Sequence, residues 1–129
     1  MLRKSILVIS DQHAPYHHID TLDFLSAIKE KYKPDCVVNI GDEMDWHSIS
    51  FHDSHPGLYS PSHELVVAKK FFSELEKLFP KQYIMDSNHG SLVFRKATKH
   101  GLPHEIFKSY NNMLGVGKGW TWHDDLIIK

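Results

Sequence analysis

The chain has 129 residues and a mass of 15.0 kDa, which is the size of one ordinary domain, so we treat residues 1–129 as a single domain. Hydrophobic residues make up 41% of the chain and charged residues 24%, a composition that excludes intrinsic disorder. The net charge of -1 excludes a global electrostatic attraction to nucleic acid or to an anionic membrane.

Three short apolar runs alternate with two helical patterns in the first two thirds of the chain. The first run, at residues 5–10, is rich in β-branched side chains and predicts a strand covered on both faces. Asp20 and Ser60 are predicted N-caps of the two helices. In chain order we predict a strand over 5–10, a helix over 21–33, a strand over 36–40, a long loop over 46–61, a helix over 61–79 and a strand over 82–85. This order predicts a parallel βαβαβ sheet with right-handed crossovers.

The last third of the chain predicts two more helices and a final strand. Residues 92–100 have a helical pattern that Gly101 ends. Residues 103–114 predict a second helix with Pro103 in its first turn. The aromatic and β-branched residues 120–128 predict a strand.

Polar side chains follow each of the first three predicted strands. In an open α/β sheet the functional crevice lies at the carboxyl ends of the strands, so these groups are expected to converge. Carboxylate, imidazole and amide oxygen together suit a divalent cation such as manganese, iron or zinc, and the carboxylate of Asp42 could bridge two such ions. The three groups are Asp11 with His13, Asp42 with Asp45, and Asn88 with His89.

At these residues the sequence resembles the calcineurin-like metallophosphoesterase superfamily, over residues 5 to 91. The signature of that superfamily is Asp-x-His, then Gly-Asp-x-x-Asp, then Gly-Asn-His and an acidic residue. The matching segments here are Asp11-Gln12-His13, Gly41-Asp42-Glu43-Met44-Asp45 and Ser87-Asn88-His89-Gly90. The last segment, with Arg95-Lys96 after it, also resembles short phage-encoded members.

The resemblance implies a role for each of these side chains. Asp11 and His13 would bind a first ion, Asp42 would bridge, and Asn88 would bind a second, with manganese the expected metal and iron or zinc the alternatives. His89 would contact the phosphoryl group and protonate the leaving oxygen. The remaining assignments are Asp45 as the carboxylate that orients His89 and favours its imidazolium form, and Asn88, His89 and Arg95 as substrate-binding residues.

The sequence departs from the superfamily in the loops. Ser87 stands where the glycine is expected, Gly90 where the acidic residue is expected, and Trp46 where many relatives have a phosphate-binding arginine. Arg95 or Lys96, one turn into the next helix, would compensate for that arginine.

The resemblance also implies an α/β/β/α sandwich, of which this chain would supply one half. The second sheet normally carries a further histidine ligand and a Gly-His-x-His segment. None of the downstream histidines, His100, His104 and His123, stands in that pattern. We therefore expect that the second sheet is largely missing, and that the natural polypeptide is longer or is a C-terminally truncated relative.

The expected function is hydrolysis of phosphate monoesters or diesters by a metal-bound water. Two alternatives stay open: a catalytically impaired metal-binding or interaction module, and a nuclease whose nucleic-acid contact would rest on Arg95, Lys96 and Lys99. The histidines at 17, 18, 47, 52, 55 and 63 are expected to be surface residues of loops and not ligands, with the alternative open that His47 and His52 border the substrate. The single cysteine, Cys36, and the short apolar start predict a cytoplasmic protein (in the host cytoplasm if the source is viral) without a membrane partner.

Overall fold

A computed structural model describes residues 5–128 as a four-stranded parallel sheet with the strand order β1-β2-β3-β4. The strands are β1 (Ile6–Ile9), β2 (Cys36–Asn39), β3 (Gln82–Met85) and β4 (Trp120–His123). The helices are α1 (Thr21–Tyr32), α2 (Pro61–Leu78), α3 (Leu92–Lys99) and α4 (Tyr110–Leu114), with 3₁₀ turns at His47–Ile49 and His104–Ile106. The predicted α/β class and parallel sheet are therefore confirmed.

The core lies on one face of this sheet. Strands that follow one another in chain order, joined by right-handed crossovers, place all their helices on the same side. Phe72 and Leu75 of α2 and Leu114 of α4 are fully buried, as is Trp120 of β4, whose indole N–H donates to the carbonyl of Phe79 at 2.9 Å. This one-sided packing fixes where the strand ends, and hence the functional loops, can lie.

The opposite face is open along β1 and β3. Ile6 is 42% exposed, Val8 56% and Tyr83 44%. The prediction that residues 5–10 form a strand covered on both faces is therefore wrong for residues 5–128. A continuous apolar run predicts that both faces of a strand are covered, but it does not indicate whether residues of this chain supply the covering layer.

The fourth predicted helix is too long. Instead of one helix over 103–114, the chain forms the 3₁₀ turn at His104–Ile106, an extended residue at Phe107 (φ -90°, ψ 153°) and only then α4. The side chain of Ser109 accepts a hydrogen bond from the backbone N–H of Asn112 at 3.3 Å, so this serine begins the helix. Pro103 begins the 3₁₀ turn instead, because its extended backbone suits either element.

The last predicted strand needs correction, and the predicted N-caps Asp20 and Ser60 are confirmed in position but not in their side-chain bonds. β4 ends at His123 and does not extend to residue 128, because its neighbour β3 ends at Met85 and offers no further pairing. Asp20 has a nearly helical backbone (φ -87°, ψ 4°), and its side chain makes no capping bond; nor does that of Ser60. Within residues 5–128 no helix is both long and apolar enough to cross a membrane.

Candidate metal and phosphate site

The loops that follow β1 and β2 are joined backbone to backbone. The N–H of Asp11 donates to the carbonyl of Gly41 at 3.1 Å, and the N–H of His13 donates to the carbonyl of Asp42 at 2.9 Å. Ala14 continues the pairing through the carbonyl of Glu43 at 2.8 Å. Two polar groups that are 30 residues apart in sequence are thereby held side by side at the carboxyl ends of their strands, as predicted.

The backbone is strained at the candidate ligands. Asp11, His13 and Asp42 have φ values of 53°, 48° and 53°, in the left-handed region that non-glycine residues rarely occupy. Such conformations cost about 1–3 kcal/mol each, persist only where the surrounding structure enforces them, and cluster at functional sites. Three of the five non-glycine residues with such a φ among residues 5–128 are thus the predicted ligands of the first ion, and the other two are Trp46, next to Asp45, and Lys33, at the end of α1.

The side chains of these three residues form one donor group. Ligand atoms of Asp11, His13 and Asp42 all lie within 4.8 Å of one another. His13 Nε2 is 3.7 Å from Asp11 Oδ1 and 3.9 Å from Asp42 Oδ2. Two carboxylates and an imidazole at these separations could hold a divalent cation between them, so this donor set fits a metal ion.

The carboxylate of Asp45 orients His13. Asp45 Oδ1 is 2.8 Å from His13 Nδ1, which leaves Nε2 directed at the carboxylates of Asp11 and Asp42. A carboxylate on the far nitrogen is the usual partner of a metal-binding histidine, because it fixes the tautomer and makes the free nitrogen a better ligand. The ligand atoms of His13, Asp45 and His89 also lie within 4.8 Å, but the hydrogen bond to His13 occupies two of them.

This geometry corrects the role predicted for Asp45. Its carboxylate is 3.9 Å from His89 Nδ1, whereas its backbone carbonyl oxygen contacts that nitrogen directly. The His89 ring stands edge-on to His13, with centroids 4.7 Å apart. The pairing with His89 is what the resemblance implies, and the sequence does not indicate that the ring of His13 lies within hydrogen-bond distance of the same carboxylate.

Ser87 brings the third loop to the other two. Its hydroxyl accepts hydrogen bonds from the backbone N–H groups of Asp42 (2.9 Å) and Gly90 (3.0 Å), and the N–H of His89 donates to Asp42 Oδ1 at 3.2 Å. A Cβ on Gly41, which has φ 108°, would lie 2.5 Å from Cβ of Ser87, so only glycine fits there. The serine that departs from the superfamily signature therefore has a structural role.

Asn88 is held by Arg95. One terminal nitrogen of the Arg95 guanidinium donates to Asn88 Oδ1 at 2.8 Å and to its carbonyl oxygen at 2.7 Å. Arg95 Nε also donates to Ser91 Oγ at 3.2 Å. The guanidinium occupies one of the two lone pairs of that amide oxygen and places a positive charge beside it, which opposes a metal ion there, so the role of Asn88 as a ligand stays a prediction.

A cavity of about 230 Å³ opens in front of His89. Arg95, predicted to bind substrate, lines it, as does His52, for which a position at the substrate is the open alternative. His47 does not line this cavity, because its Nε2 accepts a hydrogen bond from the N–H of His55 at 3.1 Å. The remaining lining residues are Ser50, Phe51, Asn88 and Leu92.

Two buried glutamates support the site, and the sequence did not reveal them. Glu64 of α2 is fully buried and accepts hydrogen bonds from the N–H groups of His47 (2.9 Å) and Ser48 (3.0 Å), so it fixes the loop that leaves Asp45. In the sequence, Glu64 directly precedes the apolar positions of its helix, and this is the only feature that could have indicated a buried position. The same feature is typical of an ordinary acidic residue in a first helical turn, so it does not predict burial.

Glu43 lies buried beneath the His89 loop. Its Oε1 accepts the indole N–H of Trp122 at 3.0 Å, and a Cβ on Gly90 would lie 3.3 Å from that oxygen. Burial raises the pKa of Glu43, while the hydrogen bond from Trp122 opposes that shift. A carboxyl group thus occupies the space beside Gly90, where the signature expects an acidic residue.

Comparison of the chain with protein-family models, curated proteins and solved structures finds no match in any of the three. The resemblance to metallophosphoesterases therefore rests on the three motifs, and the geometry described above has to carry any functional conclusion.

Proposed function

We propose that the chain is a metal-dependent phosphoesterase of the calcineurin-like type, supplying the parallel-sheet half of an α/β/β/α sandwich. The observation that carries this proposal is the arrangement around His13: Asp45 at Nδ1, with Asp11 and Asp42 facing Nε2. A surface turn would not need three left-handed residues and a partly buried orienting carboxylate.

In this proposal Asp11, His13 and Asp42 hold a first divalent ion, with manganese favoured and iron or zinc as alternatives. Asp42 and Asn88 contribute to a second. Bound ions would neutralise charge on the phosphoryl oxygens and lower the pKa of water, which is the attacking group. Arg95 borders the same cavity and contributes a positive charge for the phosphate.

His89 supplies the proton in this proposal. Its Nδ1 contacts the carbonyl oxygen of Asp45, and a carbonyl only accepts hydrogen bonds, so Nδ1 carries a hydrogen. Nε2 of the imidazolium then carries the second hydrogen. As the bond from phosphorus to the leaving oxygen breaks, that hydrogen passes to the oxygen and His89 becomes neutral.

The test is manganese-dependent hydrolysis of p-nitrophenyl phosphate, bis-p-nitrophenyl phosphate and phenyl phosphate by the purified chain. We expect His89→Asn to lower the rate on phenyl phosphate by about 100-fold or more and to lower it less on the nitrophenyl esters, whose leaving groups need less protonation. His55→Asn is the matched control, because His55 is an exposed histidine of the neighbouring loop.

Binding of manganese should survive in the His89→Asn variant. Equal rate losses on all three esters would contradict the role of His89. Tight manganese binding without turnover by the unmodified chain would favour the alternative of a catalytically impaired metal-binding module.

One observation favours a second candidate, a nuclease acting on single strands. Three cations of α3 gather around the exposed ring of Phe51: Lys96 Nζ lies 4.6 Å, Lys99 Nζ 4.8 Å and Arg95 Cζ 5.7 Å from its centroid. Phe51 also lines the cavity of His89. An aromatic ring surrounded by cations is a common platform for a single-stranded nucleic acid.

Binding of oligothymidylate at several salt concentrations tests this candidate. We expect the logarithm of the affinity to fall linearly with the logarithm of salt concentration, and Lys99→Met to reduce the slope by about one unit at most. Lys118→Met, which removes an exposed lysine far from α3 in the chain, should leave the slope unchanged. Binding that does not depend on salt would argue against this candidate.

A further inference from the structure

A second and larger cavity, of about 530 Å³, lies between α3, α4 and β4. Four rings line it: Phe94, His104, Tyr110 and Trp122. The centroids of Phe94 and His104 are 5.0 Å apart, and those of Tyr110 and Trp122 are also 5.0 Å apart. This volume is within the range of about 300–1,000 Å³ that is typical of small-molecule sites.

Polar groups stand among these rings. Asp86 and Thr98 line the cavity, and Arg95 lines both this cavity and the smaller one in front of His89. Burial raises the pKa of Asp86, and so does its hydrogen bond with Asp124. A ligand that suits these walls is flat and aromatic, with N–H groups at its edge for the carboxylate of Asp86.

The cavity adjoins the proposed phosphate site. Its lining includes Gly90 and Ser91, which directly follow His89 in the chain. A phosphate in front of His89 and a ring between Phe94 and Trp122 would be parts of one molecule, with Arg95 between them. Nucleotides have this composition: a planar base, a sugar and a phosphate ester.

We propose that this cavity binds the base of a nucleotide substrate, so that the enzyme acts on nucleoside phosphate esters. The position of the phosphate in this inference rests on the proposed function, whereas binding of the base does not depend on it. Stacking of one base on aromatic side chains improves binding by about 5-fold or more. Thymidine 5′-p-nitrophenyl phosphate should therefore have a KM about 5-fold or more below that of methyl p-nitrophenyl phosphate, which has the same leaving group.

Binding of the base can be measured without turnover. In the presence of a metal chelator, thymidine should shift the indole N–H signal of Trp122 in a proton–nitrogen NMR spectrum, whereas ribose 5-phosphate should not. Thr98→Trp, an exposed helical substitution that fills the cavity, should remove the shift and raise the KM of the thymidine ester to that of the methyl ester. His100→Trp, at an exposed position outside the cavity, is the control.

The outcomes separate the two proposals. Hydrolysis of both esters with no thymidine-dependent shift, or with selectivity that survives in Thr98→Trp, would overturn the base site and leave the phosphoesterase proposal standing. A thymidine-dependent shift that Thr98→Trp removes, without hydrolysis of either ester, would support the base site and overturn the proposed reaction.

Discussion

The two halves of the candidate site are built in different ways. The loops after β1 and β2 are joined by backbone hydrogen bonds, and their three donor residues have left-handed backbones. The segment after β3 joins them through the side chain of Ser87 and the carboxylate of Asp42, and its Asn88 is exposed and bound by Arg95. The first half therefore brings its donor atoms together directly, whereas in the second half a guanidinium competes for the amide oxygen.

This difference predicts the order in which the two ions bind. The first ion draws on Asp11, His13 and Asp42, and no donor has to move far, because all three lie within 4.8 Å. The second draws on Asp42, which is shared, and on Asn88, a neutral amide whose oxygen already accepts a hydrogen bond from the positively charged Arg95. We expect the first site to fill at lower manganese concentration than the second.

Asp42→Asn should have the largest effect, since it removes charge from both halves at once. We expect manganese affinity at the first site to fall by about 100-fold or more, because loss of a ligand should cost more than the loss of about 10–100-fold that is typical when a residue that only orients a ligand is removed. Isothermal titration calorimetry measures this, with Asp23→Asn on the exposed side of α1 as the control. Unchanged two-ion binding would show that Asp42 is not shared.

Asp45→Asn should come next, and it separates the observed geometry from the predicted one. Because the carboxylate bonds to His13, we expect the substitution to lower manganese affinity by about 10–100-fold. If Asp45 acted instead through His89, the affinity would stay the same and only the rate would fall. Asp53→Asn, at an exposed position of the next loop, is the matched control.

The sequence predicted those features of the fold that depend on local pattern. The strand and helix positions up to residue 99 follow from apolar periodicity and from prolines that end helices, and the parallel order follows from their alternation. The open face of β1 was not predictable, because Ile6 and Val8 give the same pattern whether or not a layer covers them. The break at Phe107 depends on packing after Pro103, which a helix-start signal does not report.

The candidate site was predictable in its membership but not in its contacts. Three motifs after three strands indicated which residues meet, because the carboxyl ends of parallel strands share one edge. The partner of Asp45 and the contact between Asn88 and Arg95 depend on side-chain direction, which spacing does not encode. Glu64 was missed because a buried carboxylate on a helix has no distinguishing pattern.

Arg95→Met tests the second half of the site and should have a smaller effect. It releases the amide oxygen of Asn88 and removes a positive charge beside it, so manganese should bind the second site more tightly, by a few-fold, while the first site is unaffected. Lys99→Met removes the same charge from α3 without touching Asn88, and it should change the second site less. If the two variants behave alike, the contact with Asn88 does not restrain the site.

The smallest expected effect concerns how the first half is anchored to the core. His17 follows the loop after β1, and its ring stacks on the buried Phe71 with centroids 3.8 Å apart. Its Nδ1 is buried and has no hydrogen-bond partner among residues 5–128. Burial lowers the pKa of His17 below the value of 6.5 that it has in an unfolded chain.

The sign of the resulting pH dependence follows from linkage. Above pH 6.5 His17 is neutral in both the folded and the unfolded chain; as the pH falls below 6.5 the unfolded chain takes up a proton first, and the free energy of unfolding decreases. The free energy of unfolding, measured in urea at pH 7.5 and pH 5.5, should therefore decrease less on acidification for His17→Phe, which keeps the stack on Phe71, than for the unmodified chain. His18→Gln, at the exposed neighbouring position, is the control and should leave the decrease in the free energy of unfolding nearly unchanged. An equal decrease in His17→Phe and in the unmodified chain would mean that this histidine is hydrated in solution and that its burial does not contribute to the acid sensitivity of the fold.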